Sequence, residues 1–506
     1  MLVTTKVKDV RDLAAEIALV RRGRQVVQCH GVFDLLHIGH IRHFQQAKTS
    51  GQILVVTVTP DCYVNKGPHR PVFTEALRAE AIASLDCVDY VAINRWPTAL
   101  EAIRLIRPDV YAKGSDYKDA ASDQTGGITV EREAVEAVGG KLVFTDEITF
   151  SSSTLLNQRM SIFSDNVNEY LTEFRQRYPA DVVTGFIKQA RDLRALVVGE
   201  AIIDEYQYCE TLGKSGKEPI LAAQFLRSEK FVGGALAVAN HVASCCGEVR
   251  LVTMLGSNDS HEELVRANLA PGVVPEFLVM ENAPTLIKRR FIETYPFQKL
   301  FEVYVMDEEA ALKKSSSLCA VLEELAPQVD IVIAADYGHG MIGPKATAVI
   351  CSSARRLAVN AQMNAGNHGF NTVSKYRRAD FISLSEKEIR LETRNPSGDL
   401  REIVRRVAAD LSCPRVLVTR GAKGCLCYGR DEGFFDIPGF AIRTVDRVGA
   451  GDAVFAIGSA CAAQGAPIEV VGFISNAAGT EAVGIVGNQR FIERAPLIKH
   501  IEALLK

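Results

Sequence analysis

Two clusters in this chain have the residue types and spacing that phosphate chemistry needs. The first is Gly31-Val32-Phe33-Asp34-Leu35-Leu36-His37-Ile38-Gly39-His40. The apolar run Val26–Cys29 reads as a strand end, Gly31–Asp34 as a turn, and a helix should begin near His37. That geometry aims backbone N–H groups and the positive end of a helix at an anion. Gly39 lets the backbone come close. His37 and His40 are one helical turn apart and share a face. Two imidazoles there can donate to triphosphate oxygens as charge builds at an attacked α-phosphorus. A histidine pair at this spacing also suits a metal or an ordinary helix start, but the whole Gly-x-Phe-Asp-x-x-His-x-Gly-His string favours phosphate. The second cluster is Asp446-Arg447-Val448-Gly449-Ala450-Gly451-Asp452. Gly449, Ala450 and Gly451 offer consecutive N–H groups free of bulky side chains, an anion hole for a phosphoryl group in transfer. Asp452, opening an apolar helix, can take the proton of an attacking hydroxyl. Taken alone, Gly-Ala-Gly-Asp would equally be a turn with an acidic N-cap.

The elements that must position these residues are legible as patterns. Val26–Cys29, Ile53–Val58, Tyr90–Ile93, Val110–Ala112 and Leu142–Phe144 read as short parallel strands buried on both faces. Helical patterns lie between them, one opening at Thr98 with Glu101 as a capping box. The alternation predicts an open α/β sheet of about five strands over residues 1–160. From Ser164 to Asp192 the strand pattern stops, and Val167, Tyr170, Leu171, Phe174 and Tyr178 recur at helical spacing. Residues 161–192 therefore read as a helical connector that packs on one domain or on a second copy of the chain, which leaves a homodimer open. A second α/β region, residues 193–506, has strand candidates at Leu196–Gly199, Val249–Thr253, Ile331–Ala334, Phe381–Leu384 and Val416–Thr419.

Composition sets bounds. A chain of 506 residues holds two to three domains. Its 47% hydrophobic and 24% charged content is that of a soluble globular protein. A net charge of −3 without a long basic run argues against nucleic acid as a partner. Residues 1–24 are charged throughout, unlike a signal peptide. The least polar stretch, Ala453–Ala463, is too short to span a bilayer. Twelve scattered cysteines without a Cys-x-x-Cys pair fit a reducing cytoplasm.

Residues 26–157 resemble the nucleotidyltransferases related to glycerol-3-phosphate cytidylyltransferase. They are closer still to the adenylyltransferase half of the bifunctional heptose-7-phosphate kinase/heptose-1-phosphate adenylyltransferases. The likeness rests on the Gly31–His40 string. It continues through Lys66-Gly67 with Arg70-Pro71, Glu75, Arg78, Asp109–Tyr117 and Ser152-Ser153-Thr154. It implies a Rossmann-like domain in which Gly31, Phe33, Asp34, Gly39, Lys113, Ser153 and Thr154 hold the nucleotide, while Lys66 joins His37 and His40 in catalysis. His30 replaces the Asn usual before the Gly.

Residues 193–506 resemble the ribokinase/PfkB carbohydrate kinases and the kinase half of the same heptose enzymes. The matching segments are Gly199–Asp204, Gly233-Gly234, Asp336-Tyr337-Gly338-His339-Gly340, Thr419-Arg420-Gly421 with Gly424, and Asn476-Ala477-Ala478-Gly479. The resemblance implies Asp452 as base and a nucleotide site formed by Thr419, Gly421, Gly424, Gly449, Ala450, Gly451 and Asn476. It places Asp204, Gly233, Gly234, Asp336 and Asn360 around the sugar. It implies ATP as phosphoryl donor, ATP or CTP at the N-terminal site, and Mg²⁺ at both.

The chain also departs from the pattern. Leu236-Ala237 stands where the heptose kinases have Ala-Asn. Asn360-Ala361-Gln362 replaces Asp-Pro-Lys and runs into Asn364-Ala365-Gly366-Asn367-His368-Gly369-Phe370. The family's Asn-x-x-Glu reads here as Ser383-Leu384-Ser385-Glu386, leaving Glu386 for the metal. The domain order is reversed relative to the familiar fusion. The expected function is a sugar kinase fused to a sugar-phosphate nucleotidyltransferase, making a nucleotide-activated sugar for a surface glycan. The alternatives are a cytidylyltransferase–kinase for a polyol phosphate, or a transferase regulated by a degenerate, sugar-sensing kinase domain.

Overall fold

The computed structural model describes residues 6–64, 70–114, 127–145, 163–295 and 297–506. Lys66, Ser153 and Thr154 lie outside the described residues. The chain divides into two compact units, Met1–Ser164 and Asp165–Ile501.

The first unit is built on six strands: β1 (Val7–Asp9), β2 (Val26–Gly31), β3 (Ile53–Val58), β4 (Tyr90–Ile93), β5 (Val110–Gly114) and β6 (Lys141–Thr145). They form one parallel sheet in the order β1-β4-β3-β2-β5-β6. Every residue of β3 is buried, as a strand covered on both faces by crossover helices must be. Chain order reverses between β2 and β5, so the crevice beyond their carboxyl ends is the favoured place for a ligand. The Gly31 turn leaves β2 at that place. The sixth strand, β1, is the one not expected. The helix expected at Thr98 begins instead at Leu100, with Ala99 at its N-cap and no side-chain cap. Thr98 meets Asn94, which donates to its carbonyl at 2.7 Å, and Glu101 pairs with Arg104.

The second unit holds β7 (Arg194–Gly199), β8 (Ala201–Lys214), β9 (Leu221–Gly234), β10 (Glu248–Asn258), β11 (Val273–Pro284), β12 (Ile287–Glu293), β13 (Gln298–Val305), β14 (Ile331–Asp336), β15 (Leu357–Ala361), β16 (Phe381–Ser385), β17 (Arg415–Thr419), β18 (Cys425–Gly429) and β19 (Gly433–Ile437). Nine of them make one sheet, β11-β10-β7-β14-β15-β16-β17-β18-β19. It is parallel up to β17, and β18 and β19 run antiparallel at one edge. The order reverses between β7 and β14, which sets the second crevice at Gly199 and Asp336. The other four strands form a separate sheet, β13-β12-β8-β9. Its register sets Lys288 of β12 beside Asp204 of β8 and Tyr304 of β13. Alternation then puts Asp204, Tyr206, Lys288 and Arg290 on one face.

The segment read as a connector forms two helices, Asp165–Arg177 and Ala180–Gln189. The first packs within the second unit. Phe174, fully buried, stacks on Phe473 with centroids 4.2 Å apart. Arg177 pairs at 2.6 Å with Glu469, whose side chain is 1% exposed. Among the described residues no helix is long and apolar enough to cross a membrane.

Candidate functional sites in the two units

In the first unit the loop after β2 is tightly wound. Phe33 and Leu35 have φ of 51° and 50°, the left-handed region that side chains other than glycine rarely adopt. Phe33 folds back over Gly31, where a Cβ would come within 3.0 Å of its ring. His37 is the N-cap of the helix Ile38–Thr49, and its Nδ1 accepts from the Gly39 N–H at 3.1 Å. That bond fixes the ring at the positive helix end. His40 stacks on it with centroids 3.9 Å apart, and the edge of Phe33 closes on His40 at 5.5 Å. The structure thus brings together Gly31, Phe33, His37, Gly39 and His40.

Two residues expected to touch nucleotide are engaged elsewhere. Asp34 is 1% exposed and accepts from the Val72 N–H at 2.9 Å and from Arg70 Nη1 at 3.2 Å. It clamps the Arg70–Phe73 segment and has no face left for a phosphate. Lys113 is a buried β5 residue paired with Glu131 at 2.9 Å. Arg78, 2% exposed, ties the Arg70–Phe73 segment to the end of β3, donating to Phe73 O at 3.0 Å, Thr59 O at 2.8 Å and Asp61 Oδ1 at 2.6 Å. The substituted His30 bonds Thr57 Oγ1 at 2.9 Å and Thr59 Oγ1 at 3.3 Å. Burial, reinforced by the Lys113 charge, pushes its pKa down to about 3, so the ring is neutral.

The second unit assembles its site at the β7/β14 crevice. Gly449 caps the helix Ala450–Ala463 with φ 81°, and a Cβ there would stand 2.0 Å from Asn488 Oδ1. Only glycine fits. Gly451 has nothing within 4 Å, so its space opens toward a ligand. Asp452 lies in the first turn of that helix. Tyr337 Oη donates to Asp452 Oδ1 at 2.7 Å. Burial pushes the Asp452 carboxyl up to about 7; the tyrosine bond opposes the rise, and the Asp204 charge adds to it. A carboxylate with that value suits a general base at neutral pH.

Tyr337 is held from both sides. Its N–H donates to Glu200 Oε2 at 3.0 Å, and the His339 N–H donates to Glu200 Oε1 at 3.0 Å. Its carbonyl accepts from Asn364 Nδ2 at 2.6 Å and Asn367 Nδ2 at 3.1 Å. The unusual Asn-rich loop is therefore the scaffold of the Tyr337 backbone. Asp336, expected at the sugar, is fully buried inside this scaffold. Its oxygens accept from Tyr376 Oη at 2.8 Å, Asn371 Nδ2 at 3.1 Å and the Gly338 N–H at 3.2 Å, and it also pairs with Lys375. Asn360 likewise turns to its neighbour strand, donating to Ser383 O at 2.7 Å. Both position the loop rather than face a sugar.

Asp204 remains in the crevice, 4% exposed, paired with Arg290 and bonded by Asn488 Nδ2 at 3.2 Å. Gly233 is required beside it, since a Cβ would lie 2.2 Å from its Oδ2. Gly234 has φ 60° and would strike Glu200 O at 2.5 Å. Lys288, 5% exposed, lies over the rings of Tyr304 and Tyr337 at 5.2 and 5.9 Å. Burial pushes its ammonium down. Asp446, missed as more than a motif letter, is 3% exposed and gathers Tyr206 Oη at 2.7 Å, the Gly487 N–H at 3.0 Å and Lys299. It pins the loop that carries the anion hole.

Glu386 pairs with Arg390 at 2.8 Å. Glu388 makes the capping box with Ser385 and is buried, its carboxyl pushed up by that burial, and its charge bears on Asp452. Glu388 stands three residues after Ser385. Its oxygens accept from the Met363 and Ser385 N–H groups at 3.1 and 2.6 Å. Among the described residues no cluster of three acidic, His or Cys groups could hold a metal. Toward the nucleotide side, Gly421 and Gly424 have φ 61° and 84°, in the turn after Thr419. Asn476 Nδ2 donates to Pro438 O at 2.6 Å, bracing the segment after β19.

A family model of pfkB carbohydrate kinases matches residues 192–494. The chain belongs to the pfkB family. A second model, cytidylyltransferase-like, matches residues 29–159. A protein named bifunctional protein HldE from Shewanella amazonensis is 30% identical over 314 residues, covering 61% of this chain and 64% of that protein. A protein of the same name from Syntrophotalea carbinolica is 38% identical over 142 residues, 28% of each chain. In each match the chain spans less than two thirds of its relative's length. A crystal structure from Agrobacterium tumefaciens with a provisional ribokinase assignment superposes with a TM-score of 0.51 at 17% identity, covering 62% of this chain and 99% of that one. That likeness establishes a ribokinase-like fold for the pfkB part.

Proposed function

We propose that this pfkB protein is a bifunctional transferase, a sugar kinase joined to a sugar-phosphate nucleotidyltransferase. The observation that carries the kinase reading is the Tyr337–Asp452 bond, with a base near pKa 7 beside the Gly449–Gly451 turn. An acceptor hydroxyl gives its proton to Asp452 as its oxygen attacks the γ-phosphorus of ATP, and ADP leaves. The N–H groups of Gly449–Gly451 meet the charge on the moving phosphoryl. Mg²⁺ enters with the nucleotide as part of the substrate, held by its phosphate oxygens, because Glu386 and Glu388 are already engaged. In the first unit, a sugar 1-phosphate attacks the α-phosphorus of ATP or CTP and pyrophosphate leaves. His37 and His40 donate to the phosphate oxygens.

The relatives' name, bifunctional protein, supports two activities; taken as consecutive, they would make a nucleotide-activated sugar for a surface glycan in the cytoplasm. The intact Gly449–Asp452 turn speaks for catalysis over a purely sensing role. The four-stranded sheet turns Phe301 and Val303 to solvent at 55% and 41% exposure, on the face opposite Lys288 and Arg290. We take a second copy of the chain as the partner for that face. The deciding experiment is a mass-spectrometric screen of the full chain with ATP and CTP against sugars, sugar phosphates and polyol phosphates. Absence of any phosphorylated acceptor and of any pyrophosphate-releasing transfer would overturn the reading.

A further inference from the structure

A cavity of about 470 Å³ lies at the amino-terminal edge of the nine-stranded sheet, the end opposite the crevice. Its floor is apolar, formed by the first residues of three parallel strands, Ile331, Leu357 and Phe381. Arg356, Arg415 and Arg430 surround it. Of the three acids on its wall, Asp431 is exposed and the other two have partners. Asp380 accepts from the Leu357 N–H at 2.7 Å and from Arg378 at 3.0 Å, and Glu432 accepts from the Ile468 N–H at 2.7 Å. Among the described residues no hydrogen bond or ion pair engages the guanidinium of Arg356 or Arg430.

The cavity touches the catalytic machinery through one element. The helix that begins with the anion hole and Asp452 ends here, at Ala462 and Ala463. Its 14 residues span about 20 Å. The carbonyls at that end would repel an anion if bare, but two of them have partners. Cys461 O accepts from the Gln464 and Ala466 N–H groups. Ala462 O accepts from the Gly465 N–H and from Arg415 Nη1 at 2.8 Å. Arg415 thus joins the helix terminus directly to the cavity wall.

We propose that this cavity binds a small organic phosphate with a planar or apolar body, and that its occupancy is coupled to the nucleotide site of the kinase unit. The apolar floor takes the body. Arg356 and Arg430 take the phosphate by the bidentate geometry that guanidinium favours. A ligand that draws on Arg415 shifts the far end of the helix whose first turn holds Asp452. The volume lies within the range of small-molecule sites.

The test uses the full chain and phenyl phosphate as probe, followed by calorimetry with and without saturating β,γ-imido-ATP. The analogue fills the nucleotide sites and removes binding there. Saturable binding with Kd on the order of 1 mM or tighter should persist, and the Arg356→Ala/Arg430→Ala double variant should weaken it at least about tenfold. Both arginines are exposed, so the variant's thermal midpoint should match the parent and exclude misfolding as the cause. The analogue and the probe should change each other's affinity by the same factor, at least about twofold, as linkage requires. Phenol and inorganic phosphate should each bind more weakly than phenyl phosphate. No saturable binding up to about 10 mM, or equal binding by the double variant, would overturn the site. Independent binding of the two ligands would overturn the coupling. None of these readouts depends on which acceptor the kinase uses.

Discussion

Asp452 is half-ionised near neutral pH, and its hydrogen bond from Tyr337 is what keeps it from rising further. Kinase kcat/KM should therefore fall about tenfold per pH unit below the value near 7. Tyr337→Phe removes the bond and should move this acid limb to higher pH; an unmoved limb would separate the tyrosine from the base. The same shift has a stability consequence. Between the ordinary value of 3.8 and about 7 the folded chain holds a proton that the unfolded chain releases, so stability falls as pH rises through that window. Asp452→Asn should raise the thermal midpoint at about pH 8 and lose its advantage toward pH ~3.8, while cutting phosphoryl transfer by at least ~10². The two glycines before it should part company. Gly449→Ala meets both a positive φ and Asn488, and should cost about 1–3 kcal/mol of stability together with activity. Gly451→Ala meets nothing in the protein, so it should fold normally and lose turnover only because the methyl stands where the phosphoryl passes. Thermal melts beside kinase assays distinguish the two.

At the scale of elements, the helix Asp165–Arg177 should behave as part of the kinase unit. Phe174→Ala removes a fully buried ring stacked on Phe473, at a cost of about 3–5 kcal/mol. Chemical denaturation should show the loss in the transition of residues 165–506. A fragment beginning at residue 193 should be less stable than one beginning at residue 165. The buried parallel strands were plain in the sequence because each is a short apolar run, and β3 is buried at every position. β1 was not, since Val7–Asp9 is three residues long and two are charged. The four-stranded sheet escaped too. Its long strands β8 and β9 mix buried and exposed positions and carry charges such as Glu205, Glu229 and Lys230. The glycines of both sites and the pairing of His37 with His40 were readable from spacing. The engagement of Asp34, Asp336 and Asn360 was not, because a motif names a residue type and only packing reveals which partners already occupy it.

At the scale of the whole molecule, each unit has its own sheet, its own reversal of strand order and its own phosphate-shaped turn. Asp452→Asn should therefore leave nucleotidyl transfer on a supplied sugar 1-phosphate intact. His40→Ala should spare the kinase and lower transferase turnover by roughly 3–4 kcal/mol of transition-state stabilisation. Paired assays on the two variants check both; loss of both activities in either one would show that the sites are not independent. Heptose 7-phosphate should be a poor acceptor, as measured by kcat/KM against the other sugars of the screen. Ala237, 3% exposed on its helix, presents no polar group where the heptose kinases have Asn, and the Asn364–Asn367 loop reshapes the support of Tyr337.

The Asp446 clamp also sets an order of events during synthesis. Its partners are Tyr206 and Lys299, made long before it, and the Gly487 N–H, made 41 residues after it. Asn488, which walls Gly449 and bonds Asp204, comes later still. Among the described residues, the strands of the first unit are complete by Thr145. A ribosome thus releases a finished transferase sheet early, while the kinase site cannot close until almost the last stretch of chain has emerged. A chain ending between about residue 160 and residue 487 should keep the whole cytidylyltransferase-like segment 29–159 and lack the closing residues of the kinase site.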